Sequence, residues 1–250
     1  MAQGHYQISW RRGTRIGTAL NYHPLQGGLN ARTNLYYLET SDGGRTWTTA
    51  DGRALELPLK EVQNPALVRD YQAEKLLVYL KDMDFDAQGH PVILYLTSGG
   101  YASGPAGGPR TWHTARWTGG EWLVREAVQS DHNYDFGSLY LEPDGTWRII
   151  APTEPGPQPF NPGGEMVMWT SRDQGQTWQE VKQLTRESRY NHTYARRPVD
   201  AHPDFYALWA DGDTREMSES RLYFTNRDGD HVWRLPVEMS GEAAKPEIAW

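Results

Sequence analysis

Short apolar runs rich in β-branched and aromatic residues recur between polar turn segments along the whole chain, and none lengthens into the 3.6-residue apolar period of a helix. The first are Tyr6-Gln7-Ile8-Ser9-Trp10, Leu35-Tyr36-Tyr37-Leu38, Leu76-Leu77-Val78-Tyr79-Leu80 and Val92-Ile93-Leu94-Tyr95-Leu96. Later come Leu139-Tyr140-Leu141, Trp147-Arg148-Ile149-Ile150, Met166-Val167-Met168-Trp169, Phe205-Tyr206-Ala207-Leu208-Trp209 and Leu222-Tyr223-Phe224. β-Branched and aromatic side chains suit a pleated, half-buried surface, and turn residues separate the runs. The pattern therefore predicts strands of about five residues joined by tight turns, an all-β fold.

Internal repeats carry the architecture further. Thr40-Ser41-Asp42-Gly43-Gly44-Arg45-Thr46-Trp47 and Ser171-Arg172-Asp173-Gln174-Gly175-Gln176-Thr177-Trp178 share the pattern Ser/Thr-x-Asp-x-Gly-x-Thr-Trp. In such a turn the carboxylate accepts backbone N–H groups, the glycine permits positive φ and the tryptophan is buried against the next strand. A degenerate copy covers Thr225 to Trp233, and a shortened analogue is Trp117-Thr118-Gly119-Gly120-Glu121-Trp122. The closing tryptophans, 47, 122, 178 and 233, are separated by 75, 56 and 55 residues. Four units of four strands follow, about 5–50, 72–128, 132–184 and 191–238, with the turn joining the third and fourth strands of each and a polar connection from Asp51 to Tyr71. These are the blades of a β-propeller, in one domain or partial propeller over 1–250. A β-sandwich with repeated hairpins would not produce the even tryptophan spacing.

Composition narrows the chemistry. A net charge of −7 with acids and bases interspersed lacks the basic stripe of a phosphate-backbone binder, so no nucleic-acid partner is expected. No apolar run approaches the length of a membrane span, and Met1-Ala2-Gln3-Gly4-His5 has no signal-peptide pattern, so no membrane insertion is expected. Zero cysteines exclude thiolate metal sites and cysteine nucleophiles. There is no P-loop, no dinucleotide-binding glycine motif, no His-Glu-x-x-His and no Gly-x-Ser-x-Gly.

Counting back from the closing tryptophans compares equivalent positions near the start of the innermost strands. Trp47 leads back 42 residues to His5, Trp178 leads back 46 to His132, and Trp233 leads back 41 to His192. The surrounding words are Gly4-His5-Tyr6, Asp131-His132-Asn133-Tyr134-Asp135 and Tyr190-Asn191-His192-Thr193-Tyr194-Ala195-Arg196-Arg197-Pro198. Histidine near neutral pKa, tyrosine as a weak acid or base, and arginine as a bidentate carboxylate binder are the groups needed to abstract a proton beside a carboxylate. His132 and His192 also suit a structural role, or a central ion with Asp131 and Asp135. The Pro-rich run 151–159 reads as a rigid loop.

The words Gly4-His5-Tyr6-Gln7-Ile8-Ser9-Trp10-Arg11, Thr33-Asn34-Leu35-Tyr36-Tyr37-Leu38, His132-Asn133-Tyr134-Asp135, Gly163-Gly164-Glu165-Met166 and the Tyr190–Pro198 segment resemble the BNR-repeat family of carbohydrate-active β-propellers. That group includes ulvan lyases, L-rhamnose-α-1,4-D-glucuronate lyases and α-L-rhamnosidases acting on arabinogalactan. Its members are seven-bladed, so the chain looks like the C-terminal part of such a protein or a shortened relative. The lyases use two histidines about twenty residues apart, one after a glycine, and His5 with His23 could match them. The resemblance also implies calcium as a cofactor.

The expectation is thus a polysaccharide lyase acting on a glucuronate next to rhamnose. His5, His23 or Tyr134 would abstract the uronate C5 proton, Arg196 or Arg197 with Asn133 or Asn191 would neutralise the carboxylate, and His132, His192 and Tyr194 would complete the substrate site. The alternatives are α-L-rhamnosidase hydrolysis and a non-catalytic glycan-binding propeller. The partner in each case is a uronate- and rhamnose-containing polysaccharide or oligosaccharide. Because such polymers stay outside the cytoplasm, an extracytoplasmic location, periplasmic or secreted, is expected.

Overall fold

The computed structural model describes residues 4–238 and 240–250. Its strands form four antiparallel sheets, each a propeller blade, and the chain divides into two compact units with two blades each. In the first unit, one sheet contains β1 (Gln7–Arg12), β2 (Arg15–Tyr22), β3 (Thr33–Thr40) and β4 (Leu67–Arg69) in chain order. The other contains β5 (Leu77–Phe85), β6 (Pro91–Ser98), β7 (Arg110–Trp117) and β8 (Trp122–Ser130). The second unit holds β9 (Ser138–Leu141), β10 (Trp147–Glu154), β11 (Glu165–Ser171) and β12 (Gln179–Gln183), then β13 (Asn191–Arg196), β14 (Ala207–Gly212), β15 (Leu222–Thr225), β16 (Val232–Arg234) and β17 (Glu247–Ile248). The all-β propeller class, with four blades in this chain, is the one expected from the sequence. Among the described residues no helix is long and apolar enough to cross a membrane.

Strands buried on both faces read as unbroken apolar runs, whereas outer strands are polar. Pro91–Ser98 is buried throughout, while Gln179–Gln183 is exposed at every position, so its charged and amide side chains blunt a sheet edge against further pairing. In the first unit Ala19, Leu35 and Tyr37 from one blade meet Leu80, Met83, Ile93 and Tyr95 from the next. In the second unit the core is Tyr140, Ile150, Met166 and Met168 with Ala207, Trp209 and Tyr223.

The repeated turns close as their residues dictate. Asp42 Oδ1 accepts from the Arg45 and Thr46 backbone N–H groups at 2.9 and 3.0 Å, and Oδ2 accepts from the Thr46 hydroxyl at 2.7 Å. Asp173 repeats this with Gln176, Thr177 and the Thr177 hydroxyl at 3.0, 2.9 and 2.6 Å. In the degenerate copy Arg227 replaces the aspartate, and Asn226 Oδ1 accepts from Asp230 N–H at 3.0 Å instead. All four turns join third to fourth strands, except that in the first blade the segment after Trp47 makes only single bridges from Thr48 to Glu39 and Ala54. Its fourth strand is the later Leu67–Arg69. The 51–66 segment folds back because Leu55, Leu59, Val62 and Ala66 cover the otherwise bare face of Leu20, Tyr36 and Leu38.

These hydrogen bonds hold the Asp173 carboxyl down at about 2, the Thr177 hydroxyl contributing most. A depressed carboxyl stabilises the fold above its unfolded pKa and loses that contribution as pH falls through the folded value. Asp173→Asn should therefore lower the thermal midpoint at neutral pH, and the gap to the parent should narrow as pH falls from 3.8 toward 2. Near-ultraviolet circular dichroism during heating reads this; a gap that does not change with pH would contradict it.

Candidate active site

The register of the first hairpin sets His23 across from Gly4, the neighbour of His5. Gln7 pairs with Leu20 and Ile8 with Ala19, so Gly4 faces His23 across the extended strand ends. His23 N–H donates to Gly4 O at 3.1 Å, Asn21 N–H to Tyr6 O at 3.2 Å, and Tyr6 N–H to Asn21 Oδ1 at 2.9 Å. The 18-residue spacing of the two histidines is thus the length of one hairpin. Tyr6 stands edge-on to the His23 ring at 5.0 Å between centroids.

Arg32 completes this cluster, a residue that the strand pattern did not single out. It follows a short 3-10 turn at Gly28–Ala31, and its Nε donates to Leu29 O at 2.7 Å. Its guanidinium lies over Tyr6 at 4.9 Å and over Tyr79 at 4.6 Å. Val78 N–H donates to Arg32 O at 3.1 Å, and Asn21 Nδ2 donates to Val78 O at 3.0 Å, which ties the loop to β5. Two positions past Tyr79, buried Lys81 lies over the Tyr79 ring and, at 5.2 Å, over that of Trp112.

The His23 pKa is lowered from 6.5, first by burial and then by the positive fields of Arg32 and of His5. Its Nε2 is buried with no hydrogen-bond partner among the described residues. A neutral imidazole with an uncommitted nitrogen beside a guanidinium can take up a proton next to an anionic group. His5 is exposed and lines a cavity with Gln7, Ser9, Thr18, Leu20 and Trp47.

The other candidates belong to the second unit. His132 is buried; its Nδ1 accepts from Tyr134 N–H at 3.1 Å, and Nε2 bonds Ser103 Oγ at 3.0 Å. Asn133 is buried beside it. Asn191 Nδ2 donates to the carbonyls of Gln158, Pro162 and Gly163 at 3.0, 3.2 and 3.1 Å, while its Oδ1 accepts from Gln158 N–H at 3.1 Å. The amide therefore pins the 158–163 loop, whereas Ala151–Glu154, the first half of the Pro-rich run read from the sequence as a loop, belong to β10, where they pair with β11. His192 is 1% exposed, its Nδ1 accepting from Trp209 Nε1 at 3.0 Å and its Nε2 bonding Ser188 Oγ at 3.0 Å. The structure therefore places Asn191 and His192 in the interior with their polar atoms engaged by protein groups. Tyr194 and Arg196 are exposed, and the half-buried Arg197 has its guanidinium 5.7 Å from the Tyr140 ring centre.

The carboxylates near His132 are engaged by backbone amides. Asp131 Oδ2 accepts from Phe160 N–H at 2.7 Å, and Asp135 accepts from His132 and Gly163 N–H at 2.8 and 2.7 Å. Among the described residues no three His, Asp or Glu side chains converge on a metal position.

Comparison with known proteins bears on this geometry. The ulvan lyase of Pseudoalteromonas sp. (strain PLSV), assigned to PL25, is 21% identical over 230 residues, which are 90% of this chain and 43% of the relative. A solved PL25 ulvan lyase structure superposes with a TM-score of 0.70 at 21% identity, over 90% of this chain and 52% of its own. A second PL25 structure, bound to -[GlcA(1-4)Rha3S]-, gives 0.69 at the same identity and coverage. The chain thus spans about half the length of the relatives it matches. The model of the BNR repeat-containing family matches residues 2–130, just over half of the sequence, and the chain belongs to that family.

Proposed function

We propose that this protein is a polysaccharide lyase that cleaves a rhamnose–glucuronate linkage by β-elimination, with its proton transfer at the His5–His23 pair. The observation that carries the reading is the buried, neutral His23 imidazole beside Arg32. In the reaction, the uronate C5 proton passes to His23. The C–H electron pair becomes the C4=C5 double bond, and the C4–O bond breaks with its pair on the departing oxygen. His5 returns a proton to that oxygen. Arg32 offsets the uronate carboxylate, whose neighbourhood gains a second negative charge in the carbanion-like state.

The PL25 relatives support the elimination class, and the glucuronate–rhamnose sulfate bound by one of them supports the linkage. An extracytoplasmic location belongs to the same proposal, since the polymer stays outside the cytoplasm.

Ultraviolet absorbance of the conjugated uronate during incubation with ulvan tests the reading. Rising absorbance is expected, and release of free rhamnose without it would overturn elimination in favour of hydrolysis. The pH profile adds a second check. Because burial, Arg32 and His5 all depress the His23 pKa, the acidic limb of kcat/KM should lie below 6.5. Arg32→Gln removes one of those fields and should move the limb upward. A limb that stays in place would detach His23 from Arg32.

A further inference from the structure

We infer that Tyr194, Phe136 and Arg196, on the second unit, form a subsite for an anionic sugar ring. The inference rests on the reading of the protein as glycan-active.

Tyr194 sits at φ 60° in the bulge of β13, where the register shifts between Thr193 and Arg196. A bulky aromatic residue seldom adopts this left-handed conformation, and here it turns the ring outward from the strand. Ala195 N–H donates to Phe136 O at 3.1 Å and fastens the bulge to the neighbouring segment. The Tyr194 and Phe136 rings stack at 4.6 Å with 22° between their planes. The Arg196 guanidinium lies 5.6 Å from the Phe136 centre and 5.3 Å from that of Tyr194. Tyr134 extends the row at 6.3 Å from Phe136.

The stack is not spent on the core. Tyr194 is 48% exposed, and Arg196 is exposed and ion-pairs with no carboxylate among the described residues. An aromatic face offers the C–H face of a pyranose a flat apolar contact, and a guanidinium presents a planar fork to a carboxylate or sulfate. The two lie side by side, so one ring bearing one anionic substituent can use both. The supports beneath are fixed by the turn at His132–Asp135 and by the Asn191 clamp on the Pro-rich loop. The occupant is therefore a uronate or a sulfated sugar within a glycan chain, not a neutral sugar.

The test is calorimetric titration of the full chain with ulvan oligosaccharides in native, desulfated and carboxyl-reduced forms. Tyr194→Asn removes the ring but keeps a residue tolerant of positive φ, and Arg196→Gln removes only the charge. Each should weaken binding of the native oligosaccharide about tenfold, the size expected for an aromatic contact or a charge-assisted hydrogen bond. Turnover should lose in KM rather than kcat. Arg196→Gln should bind the native form and one modified form equally, and the form that loses this difference names the anion. Parent-like affinity in both variants, or a parent that binds none of the three forms, would overturn the subsite. Variants that lose binding while even the parent makes no unsaturated product would support the subsite and remove the lyase reading alone.

Discussion

Replacing His23 with alanine is expected to lower the rate of unsaturated product formation about a hundred- to ten-thousand-fold, the range set by loss of a positioned base. His23 is buried, its Nε2 has no hydrogen-bond partner among the described residues, and its neighbours keep the imidazole neutral. Little of its surface contributes to the hydrophobic core, because it faces Tyr6 and the Gly4 backbone rather than the aliphatic cluster. The variant should therefore remain folded, with the loss in kcat and with substrate affinity retained. Stopped absorbance assays beside a thermal melt separate the cases. A folded His23→Ala protein with parent-like kcat would remove His23 from the chemistry and shift the base to His5 or Tyr134.

The second large effect is on stability. Trp209 is 1% exposed in the core of the second unit and donates from Nε1 to His192 Nδ1. Trp209→Ala should cost about 3–5 kcal/mol, as a large cavity replaces the indole. The imidazole also loses a buried partner, which puts the cost toward the upper end. Denaturant titration followed by circular dichroism reads it, and a loss below about 1 kcal/mol would show that the cavity is filled by repacking. Acid should weaken the same region in the parent. Burial pushes the His192 pKa down to about 4, and in the first unit burial likewise lowers that of His113, on β7, to about 4. Each histidine is neutral in the folded protein, whereas the unfolded chain takes up its proton near 6.5. Stability is therefore full above 6.5 and declines as pH falls toward 4.

The fold was legible because its determinants are local. Short aromatic and aliphatic runs such as Leu35–Leu38 and Val92–Leu96 mark strands, and Asp42 and Asp173 bond to amides no more than four residues away. The first blade differs because what drew 51–66 back onto the sheet was a tertiary demand, the cover of Tyr36 and Leu38, which no local pattern encodes. The histidine pair was legible for the same reason as the strands: 18 residues is one hairpin. Arg32 was not, since it sits in an aperiodic turn and reaches the pair only through Tyr6 and Tyr79. Asn191 and His192 lie in a word rich in polar residues, and polar side chains on an inner strand can face a ligand or satisfy the backbone. Only the folded arrangement separates the two, and here Asn191 holds the 158–163 loop while His192 bonds Trp209 and Ser188. Tyr194 and Arg196, in the same word, are turned outward by a bulge that residue types alone do not announce.

The central claim is elimination at a glucuronate, and the most direct measurement is mass spectrometry of the ulvan fragments made in water enriched in heavy oxygen. Elimination takes no atom from solvent into the glycan, so the two fragments should together have the mass of the parent, with one end unsaturated and no heavy oxygen at the cut. Fragments heavier by one water, carrying solvent oxygen at the new reducing end, would contradict the account and identify the reaction as hydrolysis.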